Sequence, residues 1–173
     1  MINVLNELGF YVPFILFFFT LYLLRNHKNL LFYYVIGIFI NMILNTILKG
    51  IIQEPRPVFD SKKVSLAKTH AKELFYKSGI PFDMFGMPSG HAQASFYTTA
   101  FIYFCLKKPD VLYFYIPFSL FICYQRYHFN YHSISQLIVG SLVGTLIGWF
   151  TYQQAREKIK GKIDEKPDDD APV

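Results

Sequence analysis

The chain has 173 residues, 53% of them hydrophobic and 19% aromatic, with Phe (19) and Tyr (13) carrying nearly all of the aromatic content. The formal net charge is +5, but the charges fall in short clusters between long apolar runs, a pattern that excludes an ordinary soluble domain and points to a polytopic membrane protein. The positive balance therefore reads as juxtamembrane lysines and an anionic ligand, with no nucleic acid partner.

In chain order, the first apolar run covers 10–24 and closes on Arg25-Asn26-His27-Lys28. It has neither a basic start nor a small-residue cleavage site, so it reads as a retained helix and not as a removed signal peptide. The second covers 30–52, interrupted by Asn41, Asn45 and Lys49. A polar segment follows over 53–87. Within it, 65–77 sets Leu66, Leu74 and Phe75 against several lysines, which fits either a short amphipathic surface helix or a solvated loop.

The third run, 91–106, and the fourth, 111–123, are short for a bilayer that needs about 20 helical residues. Both are expected to extend a turn into their polar flanks, and Pro117 is expected to kink the fourth. The fifth covers 132–152. The expected architecture is all-α: one transmembrane domain over 1–155, a bundle of about five membrane helices, and a charged, disordered tail over 156–173. Cys105 and Cys123 both lie in apolar runs, which suits small buried hydrophobes better than a disulfide or a metal site.

The stretch GMPSGHAQ, 86–93, stands just before the third run. A helix N-terminus there presents unpaired backbone N–H groups and partial positive charge, which favours an anion. Ser89 can donate a hydroxyl, Gly90 permits close approach to the backbone, and His91 can exchange a proton near neutral pH. Pro, Ser and Gly are also ordinary turn residues, so this stretch alone favours a plain turn.

Five crossings supply a parity argument. If each run spans once, Lys49, Arg56, the Ser89–His91 stretch, Arg126 and His132 emerge on one face. Each has an ordinary explanation: a snorkelling lysine, a helix stop, a topology charge, a polar helix start. Together, three cations, two histidines and a helix N-terminus make a phosphate site with reactive groups in it, and ionisable groups at membrane depth are usually functional.

Three motifs, KGIIQEPRP (49–57), GMPSGHAQ (86–93) and RYHFNYHSISQ (126–136), stand in this order. They resemble the three-part signature of the type 2 phosphatidic acid phosphatase superfamily, which holds membrane lipid phosphatases and soluble relatives such as vanadium haloperoxidases. They are most similar to its dolichyl-diphosphate phosphatase branch. Two positions depart from the usual superfamily pattern: Gln125 stands where Ser is usual before the Arg, and Gln136 where Asp is usual after the second His. The second departure is itself what the dolichyl-diphosphatase branch looks like.

The resemblance implies, and the residue chemistry permits, a two-step displacement through a phosphohistidine. In that reading His132 is the nucleophile and Gln136, one turn on along the same helix, orients it. His91 is general acid and then base, while Lys49, Arg56, Arg126, Ser89 and the Gly90 N–H bind phosphoryl oxygens. No cofactor and no metal are implied.

The substrate so implied is an isoprenoid diphosphate; phosphatidate or another lipid phosphate, and a catalytically silent lipid-binding or transport protein, are the alternatives. Lysine and arginine are in modest excess on the face opposite the site, which puts that face in the cytoplasm. For a dolichyl-type substrate the site would then face the lumen of the endoplasmic reticulum. In a Cys-free background, Ser61→Cys and Thr69→Cys should label from one side of the membrane and Asn26→Cys from the other. Labelling of all three from the same side would break the parity argument.

Overall fold

The computed structural model describes residues 4–57 and 84–160. The five apolar runs are five α-helices: α1 Val4–Leu23, α2 Lys28–Ile52, α3 Gly90–Leu106, α4 Pro109–His128 and α5 Ile134–Lys160. Among the described residues the only β-type pairing is an isolated antiparallel bridge between Pro55 and Phe85. The expected surface helix at 65–77 lies outside the described residues, as does the tail beyond Lys160.

Helix ends follow local chemistry. Gln53 closes α2 in the left-handed region, with φ 51°, its N–H returning to Lys49 O at 3.0 Å. Lys107 closes α3 in the same way, φ 49°, onto Tyr103 O at 2.7 Å. Pro109 then starts α4 in the first turn, where its missing N–H leaves no bond unmade. Asn130, φ 56°, reverses the chain before α5; Asn tolerates that conformation better than most residues.

Two expectations need correction. The third helix does not lengthen by a turn at either end. It is 17 residues, about 25 Å, because Ser89 is its N-cap and Lys107 stops it. The fourth helix does lengthen, through Arg126 to His128, with Pro117 inside it. The fifth continues to Lys160, well into the expected tail, because Tyr152 stacks on Phe104 at 5.7 Å and Ala155 is buried.

The bundle is apolar outside, and polar side chains lie inside it beside an aliphatic and aromatic core, unlike the polar surface of a soluble domain. Thr20, Asn41, Gln93, Ser95, Thr98 and Ser119 are buried, whereas Phe18, Phe39, Ile51, Tyr113, Leu146 and Phe150 are exposed. Several interior groups meet in pairs: Thr20 Oγ1 with the Tyr115 hydroxyl (2.8 Å), Tyr34 with Thr98 (3.1 Å), and Tyr97 donating to Tyr34 O (2.8 Å). Stacked Tyr34, Tyr97 and Phe101 fill the centre. By length and composition, α2 and most of α5 could each cross a membrane.

The closest helix pair is α3 with α5, and glycine makes it close. A Cβ at Gly140 would stand 2.6 Å from Ser89 O, and one at Gly148 would stand 2.6 Å from Tyr97 O. One at Gly144 would run into Gln93 O. The three glycines repeat every four residues, as do their three partners, so one stripe of α5 lies against the backbone of α3. The G-x-x-x-G-x-x-x-G spacing is visible in the sequence, and the structure shows that it marks a helix contact. Gly144→Val should destabilise the protein by about 3 kcal/mol, seen as a lowered Tm in detergent. Gly50→Ala, with open space around the new methyl group, should shift stability by less than about 1 kcal/mol, and upward.

Candidate active site

Lys49 sits in the last turn of α2, almost fully buried. The chain then turns through Gln53, and Glu54 to Arg56 pair with the segment that enters α3. Gly86 N–H donates to Glu54 O at 2.7 Å, and Arg56 N–H to Met84 O at 3.1 Å. These bonds tie the first motif to the second, although the residues between them are remote in sequence.

Ser89 is the N-cap of α3, in extended conformation with φ −67° and ψ 116°. The first helical bond runs from Gln93 N–H to Ser89 O at 2.9 Å. The N–H groups of Gly90, His91 and Ala92 therefore have no acceptor within the helix. Ser89 N–H is held by Gln136 O at 3.0 Å. Its hydroxyl is fully buried and has no hydrogen-bond partner among the described residues. Below this N-terminus, Asn45 donates to Pro88 O (3.2 Å) and to Gln93 Oε1 (2.8 Å). Gln93 donates in turn to the carbonyl and side-chain oxygens of Asn41, both at 2.9 Å. The two asparagines that interrupt the second apolar run thus brace the loop before α3.

Arg126, in the last turn of α4, donates from its guanidinium to His91 Nε2. Its Nε is buried with no hydrogen-bond partner among the described residues. The guanidinium also lies over the Tyr131 ring (5.2 Å) and faces Phe10 of α1 (6.0 Å), whose ring is 5.7 Å from that of His91. The neighbouring Gln125, the unusual residue of the third motif, is fully buried against Gly9 of α1. A Cβ at Gly9 would collide with the Gln125 side chain, so the larger residue has its space.

His132 does not begin α5, contrary to the sequence reading. It lies in the turn before it, with its N–H donating to Arg126 O at 3.2 Å. Ser133 is the residue that caps α5. Its hydroxyl accepts from Gln136 N–H (3.3 Å), and the Gln136 side-chain oxygen accepts from Ser133 N–H (3.2 Å). The S-x-x-Q pattern of 133–136 is a capping box, and Gln136 reaches back because it is the third residue of the helix. The same oxygen accepts from His132 Nδ1 at 3.2 Å. The expected contact is present, but the cap produces it and not two residues sharing a helical face.

Because Gln136 Oε1 can only accept, His132 Nδ1 carries the proton and Nε2 carries the lone pair. The side chain is 2% exposed. Burial, then the charges of Arg56 and Lys49, hold its imidazolium well below the ordinary histidine range, to about 3, against a smaller opposing effect from the Gln136 hydrogen bond. The ring is neutral across physiological pH.

The structure thus brings Lys49, Arg56, Ser89, Gly90, His91, Arg126, His132 and Gln136 to one end of the bundle. Two participants had no assigned role in the sequence reading: Glu54, to which Gln136 Nε2 donates at 2.7 Å, and Gly86, where a Cβ would collide with the Gln136 amide. The capping-box pattern was the available signal for the fold of Gln136; nothing in the sequence pointed Glu54 at it. Among the described residues, no three His, Cys, Asp or Glu side chains gather as metal ligands. In nitrogen-labelled histidine spectra of the substrate-free protein, the His132 signals should stay at their neutral-imidazole positions from about pH 8 to about pH 5. Protonation of His132 between about pH 6 and 7 would contradict this electrostatic reading.

Over 122 residues the chain is 32% identical to a dolichyldiphosphatase of Saccharomyces cerevisiae, a match covering 65% of this chain and 46% of that protein. Over 136 residues it is 26% identical to dolichyldiphosphatase 1 of Homo sapiens, covering 68% of this chain and 50% of that one. The chain spans about half the length of the curated relatives it matches. No solved structure gives a significant match. The family model of the PAP2 superfamily matches residues 30–160, a stretch that holds every residue gathered at the site, and the chain belongs to that superfamily.

Proposed function

We propose that the chain is an integral-membrane lipid phosphatase that hydrolyses a polyprenyl diphosphate to the monophosphate and inorganic phosphate. The observation that carries this reading is His132, its Nδ1 bonded to the Gln136 side-chain oxygen so that Nε2 holds the lone pair, beside three cations and the N-terminus of α3. The unpartnered Ser89 hydroxyl and Arg126 Nε suit phosphoryl oxygens, as do the N–H groups of Gly90 and His91. The apolar exterior of the helices supports a membrane location for the bundle, with the isoprenoid tail among the lipids. The lysine and arginine distribution supports a lumenal or exterior site. The relatives named dolichyldiphosphatase favour the diphosphate over phosphatidate.

In the first step His132 Nε2 attacks the terminal phosphorus in line. The bond to the bridging oxygen breaks, and the lipid monophosphate departs with a proton from His91. In the second step His91 takes a proton from water, whose oxygen attacks the phosphohistidine; inorganic phosphate leaves and His132 is restored. Arg126 donates to His91 Nε2, so that nitrogen carries a lone pair and must take up a proton before it can act as an acid. A bound phosphoryl group draws Arg126 to its oxygens, which releases His91 to take up the proton it must deliver. Lys49, Arg56 and Arg126 supply the positive charge that phosphoryl transfer needs.

His132→Ala should abolish phosphate release from a polyprenyl diphosphate. His91→Ala should lower it by at least about 100-fold and let phosphoenzyme accumulate in acid-quenched samples with labelled substrate. Phosphoenzyme on the His132→Ala protein would refute the nucleophile. Activity should persist in excess EDTA; loss that added Mg²⁺ reverses would refute catalysis by these cations alone. The ratio of kcat/KM for a polyprenyl diphosphate to that for phosphatidate decides the substrate, and a ratio below one would favour phosphatidate.

A further inference from the structure

The direction in which the Gln136 amide points decides which nitrogen of His132 can attack. The two ends of a glutamine amide are nearly equal in size, so packing alone does not choose between them. With oxygen toward His132, Nδ1 holds the proton and Nε2 is free. With NH2 toward His132, Nδ1 must accept, the proton moves to Nε2, and the attacking lone pair is gone.

The groups around the amide make that choice. On one side stand two donors, His132 Nδ1–H and Ser133 N–H, both 3.2 Å from Oε1. On the other stand two acceptors, Glu54 Oε1 at 2.7 Å and Pro55 O at 2.9 Å from Nε2. Reversal would set oxygen against oxygen twice and N–H against N–H. The Pro55 carbonyl is backbone and is present whatever the sequence. The Glu54 carboxylate is the part that the sequence supplies, and its bond is charge-assisted and the shorter of the two. Glu54 is held in turn by Gly86 N–H on its carbonyl at 2.7 Å. Gly86 also leaves the space in which the Gln136 amide lies.

We propose that Glu54 is a positioning residue for the reaction: its carboxylate fixes the Gln136 amide, which holds His132 in the Nδ1–H tautomer, and places a negative charge one amide away from the ring. This rests on the reading of His132 as the nucleophile. As Nε2 attacks, the ring gains positive charge; an amide polarised by a carboxylate accepts the Nδ1–H bond more strongly than an amide alone. The site thus keeps a carboxylate acting on the histidine while a neutral group touches it.

The test combines a tautomer measurement with kinetics on the full-length protein in detergent. In nitrogen-labelled histidine spectra, wild type should show His132 as the Nδ1–H tautomer, and Glu54→Ala should show a mixture of tautomers. With a polyprenyl diphosphate, Glu54→Ala should lower kcat by about 10- to 100-fold with KM little changed, and the isosteric Glu54→Gln should fall between. Gln136→Glu should be nearly inactive at neutral pH, because it sets two carboxylates in contact, and should regain activity as the pH falls and the pair takes up a proton. Adding Glu54→Gln to Gln136→Glu restores a donor facing an acceptor and should recover activity at neutral pH.

An unchanged tautomer in both Glu54 variants would overturn the proposal whatever the activity. So would a double variant no more active than Gln136→Glu, where wild type is active. A tautomer that shifts in a protein releasing no phosphate from any lipid diphosphate would leave the positioning role standing and remove the proposed function.

Discussion

The glycine stripe of α5 against the backbone of α3 is the contact on which the site depends. At Gly140 the neighbouring backbone is that of Ser89, the residue that caps α3 and begins the anion cradle. One turn before Gly140 stands Gln136, whose carbonyl accepts from Ser89 N–H. Close approach of the two helices therefore fixes the helix N-terminus relative to the turn that carries His132. A side chain in that seam would displace the backbone of the site itself, since a carbonyl, and not the flexible end of a side chain, occupies the space. Glycine loses some intrinsic helix stability at each of these positions; tight packing and the site geometry are what it provides in exchange.

Around that seam the fold gathers positive charge where little water can screen it. Lys49 and Arg126 are each about 5% exposed, and burying like charges together is unfavourable unless an anion completes them. Burial first, and the same field after it, keep His132 neutral. In the proposed reaction the field would attract the phosphoryl group and help to preserve the lone pair that attacks it. The polar chain of Asn41, Gln93 and Asn45 serves the site from below. Each amide meets a complementary partner, so the loop carrying Pro88 and Ser89 is held by hydrogen bonds where an apolar interior would offer none.

Arg126 joins α4 to the N-terminal end of α3 and to the turn before α5. Its guanidinium donates to His91 Nε2 and rests over the Tyr131 ring. Aromatic and imidazole contacts hold the cation in place by weak, replaceable interactions. A phosphoryl oxygen is a stronger partner for a guanidinium than either, so in the proposed reaction substrate binding would release His91.

The sequence by itself determined the five helices of the described residues, the apolar exterior and the identity of the charged groups, because these depend on periodicity and composition. It also determined the superfamily, because three motifs in fixed order carry it. Lys49, Arg56, Ser89, His91, Arg126 and His132 were all legible, since each is a chemically distinctive residue near the end of an apolar run. Only the tertiary structure decided how they act. It moved His132 out of α5 and made Gln136 reach it through a capping box, a consequence of where the helix starts rather than of residue spacing alone. It ended α3 at Lys107 and carried α5 to Lys160, because packing against Phe104 and the bundle overrides the polarity of that segment. It brought Glu54 against a glutamine 82 residues further on. No local pattern encodes that meeting, because it depends on the path of the chain between two helices and on the space left by a glycine.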